Sequence, residues 1–166
     1  DKVTVGVSAL RDENSLGATD LNGADLKVKL AADSELRVEA AFSEGQQGQL
    51  SPDGQAWLAE LEHHTGKIDT LLYARRQDSG FGVSQQNAAE GGQQKIGADG
   101  QVRLGGNWSV LGQIYNEENL STSDTRDAIQ GKLQYQTDRG GVGVGAQVVN
   151  DAAGRIASTP TVGDSG

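Results

Sequence analysis

The chain contains no cysteine and no methionine, and only two of its 166 residues are proline. Without cysteine there is no disulfide framework, no thiolate zinc cluster and no thiol nucleophile. That absence fits an exported bacterial protein. No apolar run approaches the ~18–20 residues of a membrane-spanning helix, which excludes helical spans and leaves barrels open. Basic residues are in the minority, and the formal net charge is −9. A chain with no basic stripe cannot neutralise phosphates, so nucleic acid is not an expected partner. Polybasic docking on anionic lipid is excluded for the same reason. Aromatic residues make up 4%. Trp57, Trp108, Tyr73, Tyr115, Tyr135, Phe42 and Phe81 are the whole supply, few for the two aromatic girdles of a barrel.

Glycine, by contrast, is abundant at 24 residues, with alanine and glutamine spread between thinly distributed leucine, valine and isoleucine. Such a chain makes strands and turns but has little with which to fill a thick, close-packed core. Its length is that of one domain. It opens at Asp1-Lys2-Val3, directly in a predicted strand, as expected of a mature product or an excised fragment.

Nine stretches alternate apolar and polar residues with the period of a strand. They are Lys2–Leu10, Gly23–Ala32, Glu35–Glu44, Gln55–His64, Lys67–Arg76, Gln93–Leu104, Trp108–Glu117, Asp127–Thr137 and Gly141–Asn150. In the third, Leu36, Val38, Ala40 and Phe42 oppose Glu35, Arg37 and Glu39. In the ninth, Val142, Val144, Ala146 and Val148 oppose three glycines. The stretch Gln55–His64 also suits a helix, being rich in Ala, Leu and Glu, but its alternation and the Thr65-Gly66 turn favour a hairpin. Residues 1–150 thus read as an antiparallel meander of about nine strands, and Asp151–Gly166 as a loop or disordered tail.

The breaks between these strands alternate in length. Long ones, Arg11–Asn22, Gly45–Gly54, Gln77–Gly92 and Glu118–Arg126, alternate with short ones, Asp33-Ser34, Thr65-Gly66, Gly105–Asn107 and Asp138–Gly140. An up-and-down sheet with one plain end and one elaborated end gives this pattern, and outer-membrane barrels have it. Nine strands would leave the first and last parallel, so either the edges meet further strands from the same parent protein or another chain, or Asp151–Gly166 supplies a tenth strand.

Several stretches also carry a resemblance. YARRQDSGFGVSQQNAAEGG from Tyr73, then KIGADGQVRL, QIYNEENLSTSDTRDA and GKLQYQ, resemble the C-terminal β-rich region of large bacterial outer-membrane and surface repeat-domain proteins. The resemblance covers roughly Trp57–Val149, chiefly through the Arg-Arg-Gln-Asp-x-Gly-Phe-Gly and Glu-Glu-Asn-Leu-Ser segments. It implies a membrane-embedded or membrane-associated barrel of outer-membrane type, with no known catalytic set.

The residues offer little chemistry. Gly141-Val142-Gly143-Val144-Gly145 imitates a phosphate loop, but a dinucleotide fingerprint needs a helix after it, and alternating valines read as strand. His63 and His64 are strand neighbours, which point to opposite faces and cannot share one metal. Glu60 and Glu62 share a face with His64, a weak acid–base or metal cluster at most. Asp20-Leu21-Asn22-Gly23-Ala24-Asp25 has oxygen ligands but not the EF-hand spacing, and reads as turn chemistry. No Gly-x-Ser-x-Gly elbow is present, and a serine triad would have to use His63 or His64. Lys27, Lys29, Arg37, Lys67, Arg75, Lys95 and Arg103 share strand faces with Asp25, Glu35, Glu39, Glu60, Glu62, Asp69 and Asp99, as in a charged barrel lumen.

The expectation is therefore an all-β, up-and-down antiparallel meander, an outer-membrane-type β-barrel or part of a larger one. The expected role is non-enzymatic: a scaffold or pore wall at the bacterial outer membrane or cell surface, contacting outer-membrane lipid and displaying loops. No catalytic, cofactor or metal residues are expected. The alternative is a soluble secreted all-β structural or adhesive module that self-associates through strand edges.

Overall fold

The computed structural model describes residues 2–14, 17–45, 53–82, 91–151 and 156–165. These form ten β-strands and, among the described residues, no helix. In chain order the strands are β1 Val3–Asn14, β2 Gly17–Ala31, β3 Ser34–Gly45, β4 Gly54–His64 and β5 Ile68–Gln77. They continue with β6 Gln93–Gly105, β7 Trp108–Asn119, β8 Thr125–Thr137, β9 Gly140–Asp151 and β10 Ile156–Ser165. Each pairs antiparallel with its sequence neighbours, so the sheet runs from β1 to β10 in order. β1 and β10 are its two edges, and the sheet is open.

All nine predicted strands are present, Gln55–His64 among them. Two expectations are corrected. The tail after Asp151 is not a loop: Ile156–Ser165 forms a tenth strand on β9, from Ile156 opposite Asn150 to Ser165 opposite Gly141. The break Arg11–Asn22 is not long either. β1 and β2 stay in register as far as Asn14 opposite Gly17. The physical reason is that a backbone ladder continues past the end of an apolar band, because its hydrogen bonds do not depend on side-chain alternation. The interiors of the predicted long loops Gly45–Gly54 and Gln77–Gly92 lie outside the described residues.

The register places the alternation on two distinct faces. One cross-strand row reads Val3, Val28, Leu36, Leu61, Leu72, Ala98, Ile114, Ile129 and Val148, one residue from each of the first nine strands. The opposite face carries Lys27, Arg37, Glu60, Tyr73 and Tyr115. Turn chemistry supports this register. Gly106 and Asn107 both have positive φ, 56° and 73°, the requirement of a hairpin turn whose twist matches that of its strands.

No second layer covers the apolar face. Among the described residues the only buried apolar side chains are Ala18 and Ala128. Ile114, Ile129, Val142 and Val144 are each more than half exposed. Polar-face neighbours on the same strands, such as Gln113, Gln130 and Gln147, are less exposed. Over β6 to β9 the sheet thus shields its polar side more than its apolar side, the reverse of a sheet packed on an aqueous protein's core.

Candidate functional site

The polar face holds the groups that can meet a ligand, so it is the candidate site. Strand pairing places its charges together. Lys27 Nζ lies 2.7 Å from Glu35 Oε1. Arg37 pairs with Glu39 and reaches Glu60 Oε2 at 3.8 Å. Lys95 Nζ lies 3.6 Å from Glu117 Oε2 and 3.8 Å from the centre of the Tyr115 ring. Arg103 Nη2 lies 2.6 Å from Asp69 Oδ2, and His64 Nδ1 contacts the other oxygen of the same carboxylate. Cross-strand pairing of opposite charges is the expectation from the strand faces; Lys27–Glu35, Arg37–Glu60 and Arg103–Asp69 meet it, while Arg37–Glu39 lies within β3.

Next to the Asp69 cluster is a cleft of about 480 Å³, whose walls include His64, Asp99, Gln101, Gln113, Gln130 and Lys132. Asp99, Gln113, Gln130 and Gln147 are directly opposed on four successive strands. One oxygen of Asp99 is buried and has no hydrogen-bond partner among the described residues. Amides and carboxylates in this arrangement exchange hydrogen bonds with hydrated solutes.

The glycine strip of β9 has a simple role. A Cβ at Gly143 would lie 2.6 Å from Lys132 Cε, and one at Gly141 2.8 Å from Gln136 Cδ. The strip makes room for long polar side chains of β8. Among the described residues the strand Gly140–Asp151 is followed by another strand and by no helix N-terminus that could receive a phosphate.

The other sequence candidates are dispersed. His63 and His64 do face opposite ways: His63 Nδ1 is 2.9 Å from Ser34 Oγ, while His64 meets Asp69. Among the described residues His63 has no carboxylate to complete a triad, and no group of three potential metal ligands occurs. The turn reading of Asp20–Asp25 is corrected, and the segment does not gather its oxygens as a cation loop would. Asp20–Asp25 lies within β2, where alternation sends Asp20 and Asn22 to one face and Asp25 to the other.

One arrangement has no signal in the sequence pattern. The segment after β5 folds back across the ends of β4 and β3. The Asp78 N–H donates to the Gln55 C=O at 2.9 Å, and the Phe81 N–H to the Asp78 C=O at 3.1 Å. The Gly82 N–H donates to Ser43 Oγ at 3.1 Å, and Ser43 is 2% exposed. Gly54 is needed there, since a Cβ would come within 2.5 Å of Phe81 Cα. The Arg-Arg-Gln-Asp-x-Gly-Phe-Gly segment therefore closes a loop. The Glu-Glu-Asn-Leu-Ser segment does likewise, because Asn119 Oδ1 accepts from the Ser121 and Thr122 N–H groups at 2.9 and 3.1 Å. No protein-family model matches this chain, and no curated protein matches it in sequence.

The partners of Asp69 are solvent-exposed, and loss of its ion pairs should cost little. Asp69→Asn removes the carboxylate that pairs with both His64 and Arg103, whose side chains are 78% and 44% exposed. The expected destabilisation is below about 1 kcal/mol, read as a small midpoint shift in a denaturant titration with unchanged slope.

Proposed function

We propose that this sheet is the wall of an outer-membrane-type β-barrel, acting as a non-enzymatic scaffold or pore wall. The observation that carries this reading is the exposure of its apolar face. A contiguous apolar surface built from nine strands has no partner layer among the described residues, and a large uncovered patch of that kind marks a contact with lipid or protein. Lipid fits best. The strands are 10 to 15 residues long, and a tilted membrane strand needs about 9–11. The polar face then lines the interior, where charge pairs and glutamines meet water. Elaborated connections between β3 and β4, β5 and β6, and β7 and β8 fall at one end, the end displayed outside the cell. The edges meet further strands, of the same parent protein or of another chain, because unpaired backbone is not tolerated in hydrocarbon.

The test is reconstitution. The chain is expected to require detergent or lipid for folding, to insert into vesicles, and to migrate on a gel differently before and after boiling. A chain that folds in plain buffer without aggregating, and that floats with no vesicle fraction, would sink the reading. The soluble self-associating module would then take its place.

A further inference from the structure

The ends of the sheet are not square. Leu36, Leu72, Ile114 and Val148 lie in one cross-strand row of the apolar face. β3 begins two residues before that row, at Ser34, and β5 four before it, at Ile68. β7 begins six before it, at Trp108, and β9 eight before it, at Gly140. The plain end therefore recedes by one residue per strand. The apolar surface slips with it. Toward the elaborated end, its first polar residue is Glu44 on β3, eight beyond the row, and Gln55 on β4, six beyond. On β5 and β6 it is Arg76 and Gln94, four beyond, and on β7 and β9 it is Asn116 and Asn150, two beyond. The apolar surface is thus a strip with two parallel borders, both slanted against the hydrogen-bonded rows.

The slant and the height of this strip match a bilayer. A slip of one residue, ~3.3 Å, for each strand step of ~4.8 Å turns the strip by about 35°. Membrane strands tilt by ~35–45°, and closing a barrel requires such a stagger. On β8 the polar residues that bound the apolar stretch are Asp127 and Thr137, ten positions apart. At that tilt they are separated by about 27 Å of height, against ~25 Å for a lipid-facing band. Four aromatic residues lie on this face, each the outermost bulky side chain of its strand. Phe42 precedes Glu44 and Trp57 precedes Gln55 at one border. Trp108 and Tyr135, ring centres 4.9 Å apart, mark the other. Aromatic residues gather at the two surfaces of a membrane. Two straight, parallel borders are what a slab imposes, whereas a protein layer packed on a sheet follows its own elements.

We infer that the bilayer crosses this sheet at a slant, so that depth in lipid follows the strip and not the hydrogen-bonded row. Leu36 and Val148 share a row, yet Leu36 is two residues from Ser34 and Val148 is two from Asn150, at opposite borders. They lie near opposite membrane surfaces. Val38 and Val144 are six rows apart, yet each is four residues from the plain limit and six from the polar one. They share the middle of the bilayer. The inference rests on the lipid reading above and adds to it the setting of the sheet in the membrane.

The chain has no cysteine, so Leu36→Cys, Val38→Cys, Val144→Cys and Val148→Cys each give the full chain a single site for a fluorophore. Each is reconstituted in phosphatidylcholine vesicles whose acyl chains are brominated either near the headgroup or near the tail end. Probes at 38 and 144 are expected to lose more fluorescence to tail-end bromine, and those at 36 and 148 to headgroup-side bromine. No square setting gives that pattern, because a row lying between two others cannot be the shallowest of the three. Should a labelled valine fail to fold, Ala40 and Ala146, one outward position along, take the same reading. If the chain floats with vesicles but probes at 36 and 148 are as deep as the other two, the slant is wrong and the lipid reading stands. If it floats and neither lipid reaches any probe, protein covers the face and the slant is again overturned. A chain that does not float with vesicles loses both the lipid reading and this inference.

Discussion

Replacing Val38 with arginine is expected to destabilise the lipid-inserted sheet by about 2–4 kcal/mol if the residue lies near the bilayer midplane. Val38 is on the apolar face, between Leu26 of β2 and Ala59 of β4. It is 36% exposed, so no protein core is disturbed by the change. In water the same substitution at an uncovered position falls within about ±0.5 kcal/mol, and the added charge breaks up an apolar patch. The magnitude therefore reports which medium covers the face. Gln130→Arg is the matched control. It adds the same charge to the polar face, beside Gln113 and Gln147, where water remains available, and its cost should stay under about 1 kcal/mol. Urea titrations of both variants in vesicles, monitored by tryptophan fluorescence, make the comparison. Equal stability of Val38→Arg and the parent in lipid would remove lipid from that face.

Legibility from sequence follows the physics of each feature. Strands two to nine were readable because Leu26–Leu30 or Val142–Val148 alternate cleanly, and burial on one face is what imposes the alternation. The continuation of β1 beyond Leu10, and of β2 before Gly23, was not, because Arg11, Asp12, Glu13 and Asn14 are polar on both faces. The tenth strand was hidden by Ser158-Thr159-Pro160 and Gly163. Proline ordinarily demotes a strand, and only the ladder's bonding phase shows that Pro160 points its missing donor away from β9. At the candidate site, Lys27–Glu35, Arg37–Glu60 and Arg103–Asp69 follow from shared faces and adjacent strands. The Gly82–Ser43 bond joins residues 39 positions apart. It depends on how a loop folds over two strand ends, which no periodicity encodes.

Two mid-strand glycines that look alike in sequence should respond to alanine in opposite directions. Gly97 of β6 lies opposite Tyr73 of β5 and Tyr115 of β7 on the polar face. A Cβ there would meet Tyr73 Oη at 2.5 Å and the Ile114 carbonyl oxygen at 2.8 Å. The tyrosine can swing aside, but the carbonyl belongs to the β7 backbone and cannot move without disturbing the ladder. Gly97 shows no positive φ, so the demand is for space and not for conformation. Gly97→Ala should therefore cost about 1–3 kcal/mol, the usual range for overpacking. Gly131 of β8 lies on the apolar face opposite Gly112 and Ala146, and a Cβ there meets nothing within 4 Å. Alanine at that position narrows the unfolded ensemble and adds apolar surface to an apolar face, for a gain of about 0.4–1 kcal/mol. Denaturant midpoints of the two variants, at matched slopes, test the pair. If both shift the same way, the space at Gly97 is not what sets its cost, and the register that stacks Tyr73 over it is wrong.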